Sequence, residues 1–359
     1  KHLESFSEET QYSMVVLTAA KSGSANVITV NETSMPIEKI MLTDNFSWQL
    51  DDEFCKYFEG EKLGDYIVCT SGMTVGKNEY FIRKLQSDGS FCEPYDFIFF
   101  DDPITLKKEV AKARLGKISS RQKEKILLQE HRGETKRNVR VVKRDMPLTL
   151  NFPHPEYKLY NKSNGNMVYS PPTHIVYWKN DGDAVMTFRR NHNWYLHGVG
   201  GQKFFGREGL TWQLISSRLK MKYLPAGYIL DSGAPCAFLR EGIESDELYF
   251  IFAWTLTPLA TRILKQVINH TINIQGKDVE RLPYPWWVNS ETKKHIVELI
   301  KSMLLQAQRG QQFNHDSKEI VELESLFVMG DSDIPNRTKV DCKRNRINYK
   351  RQTLFADVS

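Results

Sequence analysis

Three short motifs contain the residue types that could carry out chemistry. The turn GMTVGKN at residues 72–78 resembles a nucleotide-binding loop, but it is one residue short of GxxxxGK[ST] and has Asn78 in place of the hydroxyl that binds Mg²⁺. The segment HGVGG at residues 197–201 lacks the GxGxxG spacing of a dinucleotide-binding turn. We therefore expect neither of these two motifs to bind a nucleotide cofactor.

The third motif, SPPT at residues 170–173, comes closest to a catalytic sequence. Amino-methyltransferases use an Asx- or Ser-Pro-Pro-aromatic turn, which accepts hydrogen bonds from the target amine while its aromatic ring stacks on the flipped base. Thr173 has no ring to stack, so an ordinary turn is the simpler interpretation. The chain also contains no HExxH or GxSxG sequence. We expect no catalytic residue in this chain and no cofactor bound by it.

Positive charge is concentrated in two segments. Between residues 103 and 144, fourteen Lys and Arg accompany four Glu, a net charge of +10 in a chain whose total is +5. Between residues 337 and 351, seven basic residues accompany Asp341 alone. Such segments favour a polyanionic partner, with a solvated surface as the alternative. In the first segment, the residues taken as phosphate contacts are Lys123, Lys125, Lys136 and Arg137.

Composition limits the class of protein. A chain of 359 residues with 40% apolar side chains can build a substantial core. Its five cysteines form no CxxC pair, so we expect reduced thiols and no zinc site. Its apolar runs are far shorter than the roughly 20 residues of a membrane span, so we expect a cytoplasmic protein without a membrane partner. The chain begins at Lys1, not Met, and can be a fragment of a longer polypeptide.

The apolar pattern predicts an α+β fold, with a twisted, mainly antiparallel sheet, inserted helices and a C-terminal helical hairpin. Residues 13–19 and 26–30 are predicted to form a hairpin, 139–239 to be mainly strand, and 271–274 to form another strand. Helices are predicted at 104–130, at 246–254, after Thr257-Pro258, from a cap at Ser290, and at 318–327. The helix after Ser290 should bury Ile296, Ile300, Met303, Leu304 and Ala307 on one face.

Three longer blocks resemble a known family. Residues 63–82, LGDYIVCTSGMTVGKNEYFI, are similar to the entry motif of target-recognition domains in type IIG and related adenine-N6 DNA methyltransferases, roughly LGD…GxxTGxNxxFI. FGREGLTW at 205–212 and SSRLKMKYLP at 216–225 resemble that family's EGITW…SS…ARYLP. NHTINIQGKDVERLP at 269–283 resembles NPTLNFQxGDIxxIP, with His270 in place of the usual Pro. The blocks occur in family order and together span residues 48 to about 288.

The resemblance implies a domain organisation. In that family a catalytic domain that binds S-adenosylmethionine precedes the recognition domain, so the cofactor is implied for that domain and not for this chain. Residues 1–45 then correspond to the terminal hairpin and linker of a catalytic domain, and 46–288 to the DNA target-recognition domain, with a basic helical insertion at 103–144. Residues 289–330 form the C-terminal helical hairpin, and 331–359 a basic tail.

The candidate DNA contacts are donors and acceptors of the kinds that read base edges or bind phosphates. Arg and Lys match guanine, and Asn and Gln match adenine. On the turn near residue 74 they are Thr74, Lys77 and Asn78. In the remaining segments they are Arg189, Arg190, Lys203, Arg207, Trp212, Gln213, Ser216, Ser217, Arg218, Asn273 and Gln275.

Each group has a structural alternative. Trp212 is equally consistent with core packing, and the four cations from Arg189 to Arg207 with ordinary surface charge. Asn273 and Gln275 can satisfy buried backbone groups instead of DNA. The leading functional hypothesis is recognition of duplex DNA for an adenine-N6 methyltransferase in a restriction-modification system. The alternatives are a stand-alone specificity subunit or scaffold, and an RNA-binding module, for which the expected aromatic sheet motif is missing.

Overall fold

The computed structural model of the chain describes residue 54 and residues 56–100, 138–163, 165–191 and 201–328, together with four short strands near the N-terminus. These are β1 (His2–Leu3), β2 (Met14–Val15), β3 (Val27–Val30) and β4 (Thr33–Pro36). β1 pairs with β2, and β3 pairs with β4, both antiparallel. Among these described strands β3 pairs with β4 and not with β2, while most of residues 13–19, which were predicted to pair with 26–30, lie outside the described part of the chain.

Two four-stranded sheets form the centre of the molecule. The first sheet contains β6 (Ile82–Lys84), β9 (Tyr157–Asn161), β10 (His174–Tyr177) and β13 (Tyr228–Leu230). The second contains β5 (Ile67–Thr70), β11 (Gly209–Thr211), β12 (Lys222–Leu224) and β14 (Cys236–Leu239). The strand order is β13-β9-β10-β6 in the first sheet and β12-β11-β14-β5 in the second, and of these pairs only β13–β9 is parallel. With its flanking helices, this arrangement is an α+β fold, as the sequence predicts.

A long two-stranded ribbon extends from this centre. Its strands are β7 (Ser90–Phe100) and β8 (Asn138–Asn151), which pair antiparallel with an irregularity near Glu93. The buried Arg83 donates to Glu93 at 2.5 Å, which anchors the base of the ribbon to β6. At the other end Phe100 pairs with Asn138. Residues 101–137, the larger part of the basic segment, connect these two strand ends and lie outside the described residues.

The helices are distributed around the two sheets. Short helices α1 (Leu63–Tyr66) and α2 (Asn78–Phe81) flank β5 and β6, and α3 (Lys179–Asn191) follows β10. Further along the chain lie α4 (Asp246–Leu256), α5 (Pro258–Ile263), α6 (Gly276–Glu280), α7 (Ser290–Gln308) and α8 (Lys318–Glu324). There are also 3₁₀ turns at Lys56–Glu59 and Gln202–Phe204 and a π-helical turn at Leu264–Ile268.

Helix boundaries agree with the sequence in part. Thr257 caps α5, since its hydroxyl accepts from the Ala260 amide at 3.1 Å with Pro258 in the first position, as predicted. The predicted cap at Ser290 is wrong by one residue, because Asn289 accepts from the Thr292 amide at 2.9 Å. Helix α3 lies in a region predicted as strand, and its residues Ala184, Val185 and Phe188 are buried at helical spacing.

The C-terminal helices share a core with the rest of the fold. The predicted apolar face of α7, from Ile296 to Ala307, is buried as expected. Both α7 and α8 contact α4, and their apolar residues pack in one cluster with Phe250 and Trp254. A second cluster fills the space around β6, β9, β10 and α3. Among the described residues, no helix has the length and apolar character to cross a bilayer.

Gly72 occupies a position without room for a side chain. A Cβ at Gly72 would lie 2.2 Å from the carbonyl group of Leu230. We expect Gly72→Ala to lower the free energy of unfolding by about 1–3 kcal/mol, because backbone must move to admit the methyl group. Gly233→Ala is the control, since a Cβ there meets nothing within 4 Å. Urea unfolding of both variants tests this, and equal stabilities would contradict it.

Candidate nucleic-acid interface

The second sheet gathers three loops at one end. The register aligns Thr70 with Cys236, Cys236 with Thr211, and Thr211 with Lys222. Strands β5 and β11 finish in this row, whereas β14 and β12 begin in it. The loops at 71–77, 212–221 and 231–235 therefore emerge on the same side, and we call this side the loop edge.

Asn161 fixes the loop edge to the first sheet. It is the last residue of β9, is 5% exposed, and donates to the Thr211 hydroxyl at 2.9 Å and the Cys236 sulfur at 3.4 Å. The Thr211 hydroxyl in turn donates to the carbonyl of Pro235 at 3.0 Å. Burial raises the pKa of Cys236 to about 12, so the thiol stays neutral near pH 7. A buried polar group that is fully paired specifies one arrangement, so these contacts set the relative position of the loops.

Trp212 attaches a fourth segment to the loop edge. Its ring is fully buried, and its Nε1 donates to the carbonyl of Ile274 at 3.0 Å. The backbones then pair, with the Ile274 amide donating to Leu214 and the Ser216 amide to Ile272, both at 2.8 Å. We call 212–217 and 271–276 the paired segments. Of the two interpretations of Trp212, the structure shows core packing, and its ring is not available to stack on a base.

The predicted strand at 271–274 is wrong, although the segment does pair. A single antiparallel bridge joins Ile215 and Asn273, and α6 begins directly afterwards. The Asn269 side chain shapes the loop, because its Nδ2 donates to the Asn273 carbonyl at 2.8 Å and its Oδ1 accepts from the Thr271 amide at 2.7 Å. Side-chain bonds of this kind compete with a regular ladder.

One face of the paired segments carries three amide side chains. In a paired strand, alternate residues share a face and bridged residues lie on the same face. Gln213 and Ile215 thus share a face with Asn273 and Gln275, and Gln275 Nε2 donates to Asn273 Oδ1 at 2.9 Å. Asn273 and Gln275 are exposed, and Ile215 is 60% exposed. We call these four residues the amide face. Sequence reasoning named the three amides but missed Ile215, because the pairing that aligns them joins positions about 60 residues apart.

The glycine-flanked turn is held by the fold and does not resemble a phosphate cradle. The amides of Gly72 and Met73 donate to the carbonyls of Asp231 and Leu230 at 3.2 and 2.9 Å. The Thr74 hydroxyl donates to Ser232 at 3.1 Å. These groups therefore form hydrogen bonds within the protein. Because the backbone amides of residues 72 and 73 are not available, a ligand would have to contact side chains of the turn.

Two predicted contacts lie at the end of this turn, the partly exposed Lys77 and the exposed Asn78. Lys77 forms an ion pair with Glu79 at 2.7 Å, and hydrogen bonding to that carboxylate raises the lysine pKa. Asn78 is exposed as the first residue of α2. An exposed ion pair contributes little and is readily exchanged, so Lys77 can turn to a phosphate.

Lys203 lies beside the loop edge, whereas Arg207 lies at the opposite end of β11 and β14, where it donates to the Leu239 carbonyl at 3.4 Å. A Cβ at Gly201 would be 3.1 Å from the Ser71 carbonyl, so this segment rests against the start of the 71–77 loop. Lys203 is exposed, its ammonium lies 5.0 Å from the Phe204 ring centre, and it makes no ion pair within the described part of the chain. The Arg207 guanidinium stacks over the same ring at 5.2 Å. Both cations are available to a negatively charged partner.

Arg189 and Ser216 are less accessible than the sequence suggested. Arg189 is 2% exposed, and burial lowers its pKa. Ser216 is 8% exposed, whereas its neighbour Ser217 is exposed. Arg189 is thus covered in this arrangement, and its Nη1 lies 3.7 Å from the Met186 sulfur. The side chain of Arg190 lies outside the described part of the structure.

Arg218 is committed to a contact within the protein. Its two terminal nitrogens donate to the carboxylate of Asp316 at 2.6 and 2.9 Å, and one also donates to Asn166 Oδ1 at 2.7 Å. These bonds hold the pKa of Asp316 down at about 2, chiefly through Arg218 and then Asn166. The bidentate geometry is the one Arg uses for carboxylates in general. Arg218 thus fastens the loop after the paired segments to the start of the α8 region.

A polar cleft of about 340 Å³ lies near the loop edge. It is lined by Lys162, Ser163, His174, Asp231, Gly233 and Ala234. Lys162 is ion-paired with Asp231, so the cleft offers a phosphate no net positive charge. Partial burial lowers the pKa of His174, which favours its neutral form. Within the described residues, no cluster of three His, Cys, Asp or Glu side chains is placed to hold a metal ion.

The SPPT motif is also engaged within the fold. Lys222, 4% exposed, donates to the Ser170 hydroxyl at 3.2 Å, and burial lowers the lysine pKa to about 8. Residues 170–173 form no regular turn and lead directly into β10.

The predicted phosphate contacts Lys123, Lys125, Lys136 and Arg137 lie outside the described residues, as does the basic tail. Their attachment point is defined, since residues 101–137 connect the paired ends of β7 and β8. The nearby Arg144 on β8 is ion-paired with Asp96.

Comparison with known proteins does not extend this description. No protein-family model matches the chain, and no curated protein is significantly similar to it.

Trp212→Phe tests whether the indole attaches the paired segments. We expect a loss in unfolding free energy about 1 kcal/mol greater than for Trp254→Phe, because only Trp212 Nε1 makes a hydrogen bond. Both rings are fully buried, which makes Trp254 a matched control. Hydrogen exchange at the amides of Ser216 and Ile274 should accelerate in Trp212→Phe alone. Equal acceleration in both variants would show that ring volume, and not the indole hydrogen bond, holds the segments.

Proposed function

We propose that this chain recognises a short duplex DNA sequence and serves as the specificity part of an adenine-N6 DNA methyltransferase. The observation that carries the proposal is the amide face, where the exposed Asn273 and Gln275 and the half-buried Gln213 lie on one side of backbone-paired segments. Amide side chains present a donor and an acceptor in the geometry that matches an adenine edge. A loop that only has to be solvated does not require three amide side chains on one face.

Basic side chains of the same chain can bind the phosphate groups of a DNA backbone. Lys203 lies beside the loop edge and Lys77 at the end of the 71–77 loop, while Arg207 is exposed at the other end of β11. Contacts of Lys and Arg with phosphates orient a protein on the duplex without reading sequence. The net charge of +10 between residues 103 and 144 adds a second basic element at the tip of the ribbon. This combination of base readers and phosphate anchors favours nucleic acid over a neutral protein surface.

The methyltransferase part of the proposal is supported by where the resembling blocks lie. Residues 63–82 contribute β5 and its following turn, 205–225 contribute β11 and β12, and 269–283 contribute one of the paired segments. These three blocks meet at the loop edge. S-adenosylmethionine would be bound by a separate catalytic domain or chain, while this chain holds the duplex. A cytoplasmic location, where host DNA is accessible, follows from the proposal.

Separate roles for amides and cations give a direct test. The wild-type chain is first used to select binding sites from duplexes with a randomised centre. Asn273→Ala should then lose about 1–3 kcal/mol on the selected site and relax the preference at one base pair. Lys203→Ala should weaken selected and random duplexes by similar factors. Competition binding with single-base variants of the site measures both effects, with thermal melts to exclude unfolding. If Asn273→Ala keeps the wild-type base preference, Asn273 does not contact a base.

Salt dependence tests the basic insertion. Each phosphate contact contributes roughly −0.9 to the slope of log affinity against log salt concentration. Replacing Lys123 and Lys125 by Ala should therefore make the slope shallower by about 1.8 if both bind phosphates. The matched control replaces Lys294 and Lys318, two exposed lysines of the C-terminal helical region, and should leave the slope unchanged. Identical slopes for the two double variants would assign the insertion to another role.

A further inference from the structure

We infer that the amide face reads an A·T base pair from the major groove, with the Asn273 amide on adenine and the Ile215 side chain against the thymine methyl group. The inference rests on the proposed DNA recognition and adds the identity of the base pair and a residue that the sequence did not suggest.

Ile215 is exposed enough to contact a partner outside the fold. It is 60% exposed, although it lies on a segment whose backbone is fixed by hydrogen bonds on both sides of it. Residues bridged across an antiparallel pair have Cβ atoms about 4.5–5.5 Å apart. Ile215 and Asn273 therefore present an apolar group and an amide side by side. In the major groove an A·T pair presents the N7 and N6 of adenine beside the O4 and C5 methyl of thymine.

The Asn273 amide is already oriented for such a contact. Its Oδ1 accepts from Gln275 Nε2 at 2.9 Å and retains a second lone pair, and its Nδ2 makes no hydrogen bond within the described residues. Oδ1 can then accept from adenine N6 while Nδ2 donates to N7. Gln275 is a positioning residue in this arrangement, because its bond sets which end of the Asn273 amide faces which way.

A G·C pair fits the same face poorly. Guanine presents two acceptors, N7 and O6, so the amide oxygen of Asn273 would face an acceptor. Cytosine carries a hydrogen in place of the C5 methyl group, so Ile215 would lose its methyl contact. Rigid backbone pairing around residues 215 and 273 limits how far the side chains can move to relieve this mismatch.

Replacement of thymine by deoxyuridine isolates the predicted contact, since the two bases differ only in the methyl group. Removing one buried methyl corresponds to roughly a fourfold loss of affinity. In the selected site, wild-type protein should therefore bind the deoxyuridine duplex about fourfold more weakly at one fixed A·T pair. Ile215→Ala should bind the thymine and deoxyuridine duplexes equally.

Ile272→Ala is the matched control. Ile272 is 56% exposed on the same paired segments, but it lies across from Ser216 and so on the opposite face. This variant should keep the fourfold preference for thymine. Thermal melts confirm that all three proteins are folded at the assay temperature.

The outcomes separate this inference from the proposed function. Binding of duplex DNA without enrichment of any sequence, or without a thymine preference at any fixed pair, overturns the inference while leaving DNA binding intact. Loss of the thymine preference in Ile272→Ala as well as Ile215→Ala also overturns it. Absence of duplex binding by the wild-type chain overturns the proposed function itself.

Discussion

The hydrogen bond from the Trp212 indole to the Ile274 carbonyl joins two parts of the chain that are about 60 residues apart. Trp212 directly follows β11, so its ring is placed by the sheet, and the segment that it holds has no regular strand of its own. A buried carbonyl without a partner would cost about 1–3 kcal/mol, which is why the indole nitrogen and not only the ring matters here. The exposed side chains of the paired segments depend on this contact for their arrangement.

Behind Trp212, the two sheets are fixed relative to each other by Asn161 and by a small apolar cluster that includes Leu230 and Phe238. Packed strands thus support the loop edge, whereas the exposed face of its paired segments carries polar side chains and Ile215. Such a division suits recognition, because rigid elements position side chains more precisely than loops do alone. Arg218 contributes to the same rigidity through Asp316, although the sequence suggested that it contacts DNA.

Features that are determined by interactions between residues close in the sequence could be predicted. The cap at Thr257, the apolar face of α7 and the strands near residues 174 and 228 all follow from neighbouring residues. Contacts between distant segments could not be predicted in this way. Arg189 has the charge of a surface residue, and only the packing of α3 shows that it is buried.

The candidate site shows the same limit. Asn273 and Gln275 were identified by residue type, but the alternatives of DNA contact and backbone satisfaction could not be separated without knowing their exposure. Ile215 has no polar group, so a search for hydrogen-bonding residues passes over it. Its relevance depends on the bridge to Asn273, which is a property of the fold.

If the chain recognises DNA as proposed, the loop edge is the surface that meets the bases. Photo-crosslinking can locate this surface, with 5-iododeoxyuridine placed at each thymine of a selected duplex in turn and crosslinked peptides identified by mass spectrometry. We expect crosslinks within residues 212–217 or 269–276 from at least one position. Crosslinks confined to the C-terminal helices at 290–328, with none at the loop edge, would contradict it.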